Sequence, residues 1–414
     1  MQQHAQIDLD MEEFEAKVGE YATNTAWITE AMAIFDNGGN GVCATADENG
    51  IGCAVGGAKG NSLKSSSIRT LKGFAQKDFA GIVAALGDKY AEQLPPIYTA
   101  YWTAHGMTAA EAAMWSDTFV RKDYSAIAKP AGSNQLMKKG ANYQTVWMYV
   151  LHELEDAIGD CYAGDISKND CGPGGTAGAC GNAPHAWDEG WAFYAGSQVA
   201  ATAADSVTSD GTLIWELAEK RADDFGTDDT TGPSSVNVAL LAEFIKGRDL
   251  IIAADCAGAE PVVQKIIQLM TVPLIQGTLK YAFKADPANA NGDCAADAGK
   301  NAMTASDGCV KSWAEGWAFA AAVLPQIDQC SPSAAKTVED ALDIAATGPV
   351  AGGFAAVKTA IESTYPCLGI TCAHVGKYST TTQCTDPVAS SDSATAPALA
   401  LGAAAAAAGA AFLL

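Results

Sequence analysis

The apolar positions of this chain recur at helical rather than alternating spacing. Residues 9–36 place Phe14, Val18, Tyr21, Trp27, Ile28, Met32 and Phe35 on helical intervals and stop at Asn37-Gly38-Gly39. Residues 63–128 read as several helices, broken near Pro95-Pro96 and His105-Gly106. The pattern predicts one strong helix over 134–160, helices over 210–226 and 236–256, and another over 260–285. The polar run Gly226-Thr227-Asp228-Asp229-Thr230-Thr231-Gly232-Pro233 is a loop, and further helices fall within 336–378. No stretch alternates, so the expected class is mainly α.

One stretch occurs twice. Trp187-Asp188-Glu189-Gly190-Trp191-Ala192-Phe193 returns 126 residues later as Trp313-Ala314-Glu315-Gly316-Trp317-Ala318-Phe319. We read this as an internal duplication of helical bundle units with disulfide-stapled loops. The expected units are 1–206, 207–330, a partial third unit or cap over 331–384, and a tail over 385–414. Residues 365–376 resemble the Cys-Ala-Val-Gly segment around Cys53, which motivates the third unit. In a helix at about 100° per residue, Trp187, Trp191 and Tyr194 share one face, and Glu189, Phe193 and His185 the other. A helix bulky on both sides is buried, and a carboxylate in its middle must be paired, hydrogen-bonded or bound to metal. That makes Glu189 and Glu315 the first residues to explain.

Charge narrows the partners. The formal net charge is −23, which repels nucleic acid and anionic membranes and suits cations. The twelve cysteines sit mostly in Gly/Asp/Asn-rich loops, an arrangement that reads as disulfides formed in an oxidising compartment. The spacings 43/53, 294/309 and 367/372 suggest loop staples. From Ala398 the chain is small and apolar to Leu414, after a short polar spacer, as in a glycolipid-anchor signal. The polar, acidic start MQQHAQIDLDMEEF is no leader, so the sequence is expected to begin inside its precursor. Contact with a membrane is expected only through that anchor.

The chemistry gathers on two helices. In residues 143–160, Trp147, Leu151, Leu154 and Ile158 form the apolar stripe. His152 and Asp156 lie one turn apart, Glu155 lies between them and the stripe, and Glu153 is expected to point away from the core. With Glu189 from the next helix, His152, Glu155 and Asp156 make a workable metal site, and His185 could add a further ligand. One imidazole with carboxylates favours iron, manganese or zinc over copper(I). In the second copy Lys311 stands where His185 would be, so Glu315 either binds nothing or binds with carboxylates such as Asp249 or Asp286.

Two resemblances follow. His152-Glu153-Leu154-Glu155-Asp156 with Glu189-Gly190-Trp191-Ala192 resembles zinc peptidases of the His-Glu-x-x-His class. There His152, Asp156 and Glu189 would hold zinc and Glu153 would be the base, but Asp156 replaces the second His. Over most of the chain, the acidic character, the duplicated Trp-x-Glu-Gly-Trp-Ala-Phe helices and the cysteine loops resemble the algal iron-assimilating periplasmic proteins. This resemblance implies a secreted, non-enzymatic protein of the periplasm or cell surface. It would bind Fe3+ or Fe2+, with Glu189 and Glu315 among the ligands, and assist cell-surface uptake machinery. The alternatives are a zinc metallopeptidase and a surface structural protein without metal.

Overall fold

The helical periodicity is realised throughout the described part of the chain. A computed structural model describes residues 2–40, 69–77, 94–166, 182–197, 211–228 and 232–382, with Cys384 and Asp386. These residues form helices and no strand, apart from an isolated bridge between Asp228 and Ser234. In chain order the helices are α1 (Gln2–Ala5), α2 (Ile7–Gly19), α3 (Trp27–Asn37), α4 (Leu71–Ala75), α5 (Leu94–Ala104), α6 (Ala109–Ala113), α7 (Trp115–Arg121) and α8 (Pro130–Gly140). A π-helical turn, Ala141–Val146, joins α8 to α9 (Trp147–Ala163). There follow α10 (Asn182–Ala195), α11 (Ile214–Phe225), α12 (Ser235–Ile252), α13 (Cys256–Ala285), α14 (Asp307–Cys330), α15 (Pro332–Leu342), α16 (Phe354–Glu362), α17 (Tyr365–Leu368) and α18 (Cys372–Val375).

Side chains mark the ends. Ser306 and Ser331 accept from the main-chain N–H three residues on and start α14 and α15; Pro332 opens the latter. Gly226 closes α11 at φ +64°, the left-handed conformation that glycine adopts without strain, and so starts the expected polar loop. The run expected over 9–36 is broken. Asn24 donates to Glu20 and Glu30 while its Oδ1 accepts from Ala26 N, and this local turn separates α2 from α3. The helix expected over 134–160 starts earlier, at Pro130, and carries the π turn in its middle.

Both copies of the tryptophan motif are the second helix of a packed pair, α9 with α10 and α13 with α14. Glycine lets each pair touch closely. A Cβ on Gly190 would lie 3.0 Å from Leu154 Cδ2, and one on Gly316 would lie 3.3 Å from Tyr281 Cβ. The first indole of each copy donates to a main-chain carbonyl: Trp187 Nε1 to Phe244 (2.9 Å) and Trp313 Nε1 to Leu342 (2.9 Å). The pairs are not separate bodies. α8 lies along α14, where a Cβ on Gly132 would sit 2.6 Å from Val310 Cγ1, and the buried apolar residues form one continuous core. The boundary expected at 206/207 lies outside the described residues. α13 is long and apolar enough to cross a membrane, yet it is largely buried inside this bundle as a core helix.

Four disulfides close the described loops: Cys161–Cys256, Cys294–Cys309, Cys330–Cys367 and Cys372–Cys384. The staple expected at 294/309 is present. Cys367 and Cys372 do not join each other, because each meets a cysteine brought in from a different helix end or from the segment after α18. Cys43, Cys53, Cys171 and Cys180 lie outside the described residues, as does the small apolar tail from Ala398.

Candidate metal centre

The α9–α10 pair builds the centre. The two helices run antiparallel, with Ala183 N donating to Asp165 O at their shared end. The close approach at Gly190 sets the adjacent Glu189 beside the middle of α9. Glu189 is 4 % exposed. His185, one turn earlier on α10, puts Nε2 2.9 Å from Glu189 Oε1. His4, from α1 packed on α10, puts Nε2 2.8 Å from the same oxygen. Arg69, just before α4, places Nη2 3.0 Å from Oε1 and 2.9 Å from Oε2.

One ligand atom each from His4, His185 and Glu189 lies within 4.8 Å of the other two. A second such group lies on α9: His152, Glu153 and Asp156, with the same mutual reach. The two groups act on each other, since the Glu189 charge is felt by both His152 and Glu153. An aromatic wall lies beside them: Tyr149 stacks on Phe74 at 3.8 Å and meets Phe193 at 5.3 Å, and His4 meets Phe193 at 5.8 Å. Histidine 185 is the exposed member, with 41 % of its side chain open to solvent, so the first group is reached from that side.

The electrostatics suit a cation. Burial opposes charge on Glu189, but the close contacts of His185 and His4 and the Arg69 charge outweigh it and hold the carboxyl well below its usual range. Burial lowers His4 to about 4 against the pull of Glu189. Burial, then the Lys77 charge, lowers His152 to about 3. Both imidazoles are therefore neutral at neutral pH, the form that ligates metal. Burial, then Glu189 and Asp156, pushes Glu153 well above the carboxylate range. A cation bound there would reverse that, because it favours the ionised form. The donor set of imidazoles and carboxylates fits iron or zinc. The one obstacle is Arg69, which already neutralises Glu189.

The expected ligand set is thus regrouped. Glu189 joins His185 and His4; His152 and Asp156 join Glu153. Glu153 does not point away from the core: it is 5 % exposed, because α9 is covered on the flank opposite its apolar stripe as well. Glu155 is fully buried on the other side of His152 and belongs to neither group. Glu315 belongs to neither group. Asp249 and Asp286, suggested as its partners, are engaged elsewhere: Asp249 with Arg248, and Asp286 with the main-chain N–H groups of Ala288 and Phe354. Sequence reasoning missed His4 and Arg69. Scarcity was a signal for the first, since the chain has five histidines. No pattern pointed to Arg69.

A profile describing low iron-inducible periplasmic proteins matches residues 1–400. The chain belongs to this family. The match runs through both helix pairs and all the residues of the centre. No curated protein and no solved structure matches the chain. Membership agrees with the resemblance read from the tryptophan helices and cysteine loops, and it puts the chain among periplasmic proteins whose production responds to low iron.

Proposed function

We propose that this protein binds iron outside the cell membrane and assists its assimilation, without catalysing a reaction. The carrying observation is Glu189, a buried, ionised carboxylate in contact with two imidazoles at 2.8 and 2.9 Å. Family membership supports iron as the metal, because the family is described as periplasmic and induced by low iron. His4, His185 and Glu189 would hold the ion, and His152, Glu153 and Asp156 offer an adjacent second position. Zinc fits the same donors and is the competing cargo. Delivery to cell-surface uptake machinery, and tethering through a lipid anchor after residue 384, complete the reading.

The test is metal content. Purified protein equilibrated with iron and dialysed should retain it, and Glu189→Gln, which keeps the shape and removes the charge, should lose the ion held at this centre. His4→Ala should do the same. Unchanged iron content in both variants would end this assignment. Zinc retained in preference to iron from an equal mixture would make zinc the cargo.

A further inference from the structure

Glu315 is 6 % exposed, and among the described residues it has no hydrogen-bond or ion-pair partner. The groups around so enclosed a carboxylate bear on what it can hold. Two phenols stand next to it. Tyr143, in the π turn, stacks on Phe319 with ring centres 4.8 Å apart, and Tyr281 of α13 stacks on the same ring at 5.7 Å. Phe319 lies one turn after Glu315 on α14, so both tyrosine rings lie against the face of that helix that carries Glu315. Gly316 keeps Tyr281 there, since the Tyr281 Cβ lies 3.3 Å from where a Gly316 Cβ would be. Arg221 sits 5.9 Å from the Tyr281 ring, and its buried Nε has no partner among the described residues. The π turn itself is a local irregularity of the kind found at functional sites.

We propose that Tyr143, Tyr281 and Glu315 form a second metal site of different chemistry, one that takes ferric iron through two phenolates and a carboxylate. Phenolate oxygen is a hard donor and suits a hard, trivalent ion. The charges balance: two phenolates and one carboxylate carry three negative charges against the three of the ion, and Arg221 beside them is paired with Asp224 at 2.7 Å. The step is proton displacement with no change of oxidation state. Each phenol O–H bond breaks, its proton leaves to solvent, and an iron–oxygen bond forms in its place. Burial, then Glu15 for Tyr143 and Glu315 for Tyr281, holds both phenols well above their usual range, while Arg221 works the other way. The metal-free site is therefore protonated, and a strong Lewis acid is needed to open it. The repeat supports the placement: Tyr281 precedes Glu315 by the 34 residues that separate Glu155 from Glu189.

The inference rests on reading the protein as an iron binder, but not on the Glu189 centre, so the two can fail separately. The probe is ferric nitrilotriacetate added to the full chain carrying Glu189→Gln. Ferric phenolate absorbs visible light through charge transfer, which imidazole and carboxylate ligation does not supply. A visible band should grow to one equivalent, with release of about two protons per ion. Tyr281→Phe and Tyr143→Phe, each keeping the ring stack on Phe319, should abolish it, and Glu315→Gln should weaken binding at least tenfold. Absence of a visible band, or a band that survives in both phenylalanine variants, would overturn the proposal. Iron content that is insensitive to Glu189→Gln in a chain showing the band would sink the first centre and leave this one standing.

Discussion

A single guanidinium nitrogen, Nη2 of Arg69, straddles both oxygens of Glu189 at 3.0 and 2.9 Å. The carboxylate thus already carries a protein-supplied cation in the metal-free molecule. A metal ion must displace it. Arg69→Gln is therefore expected to raise iron affinity, by roughly tenfold or more for a charge pair worth over 1.4 kcal/mol. The same change leaves Glu189 buried and uncompensated. Removing one partner of a buried pair costs about 3–5 kcal/mol, less here because Arg69 is 18 % exposed. Melting with and without iron checks both: the variant should melt lower than wild type when metal-free and gain more from iron. Equal iron affinity in the two proteins would show that Arg69 does not compete.

Gly190 is where α10 touches α9. A Cβ there would lie 3.0 Å from Leu154 Cδ2 and 3.4 Å from the Val150 carbonyl oxygen. Gly190→Val should force the helices apart at a cost of about 1–3 kcal/mol. Iron retention should fall too, although every ligand remains. Gly316→Val should cost similar stability and leave iron at the Glu189 centre unchanged. Equal loss of iron from the Glu189 centre in both would mean that destabilisation alone explains the effect.

The buried histidines make the metal-free protein sensitive to acid. In the unfolded chain each takes a proton near 6.5; in the fold His4 refuses it until about 4 and His152 until about 3. Between those values the unfolded state binds more protons, so stability is full above about pH 6.5 and is lost as pH falls towards 4. At about 1.36 kcal/mol per unit, the full loss is roughly 3 kcal/mol for His4 and roughly 5 kcal/mol for His152. Denaturant unfolding at pH 7 and pH 4.5 should show the loss, and His4→Gln with His152→Gln should flatten it. An equally steep dependence in the double variant would assign it to the carboxylates.

Loop length ranks the disulfides. Cys161–Cys256 spans 95 residues and Cys372–Cys384 spans 12. Chain-entropy arguments give about 4.7 kcal/mol for a loop near 100 residues and about 3 kcal/mol for one near 15. Replacing Cys161 and Cys256 together by Ala should therefore lower the denaturation midpoint more than replacing Cys372 and Cys384. The reverse order would mean that native packing, not loop closure, sets the contribution.

Helix content and a good part of the buried face were legible in the sequence, because helical period and end signals are local properties of a few neighbouring residues. Glu189 was legible as a residue needing a partner, since a carboxylate between tryptophans has no solvent to turn to. Its partners were only half legible. His185 lies one turn away on the same helix, and helix geometry alone places it there. His4 and Arg69 reach Glu189 only because α1 and the start of α4 pack against the α9–α10 pair. Glu153 and Glu155 show the same limit. The apolar stripe on α9 suggested one buried face, but the helix is covered on several sides, so Glu153 is buried beside His152 as well. Glu315, identical to Glu189 in its motif, has the charge-sensitive phenols of Tyr281 and Tyr143 in its surroundings instead of histidines. Local sequence determines which residues form a helix and which of them need burial; the docking of distant helices, set by side-chain shape over the whole core, decides what each buried charge will meet.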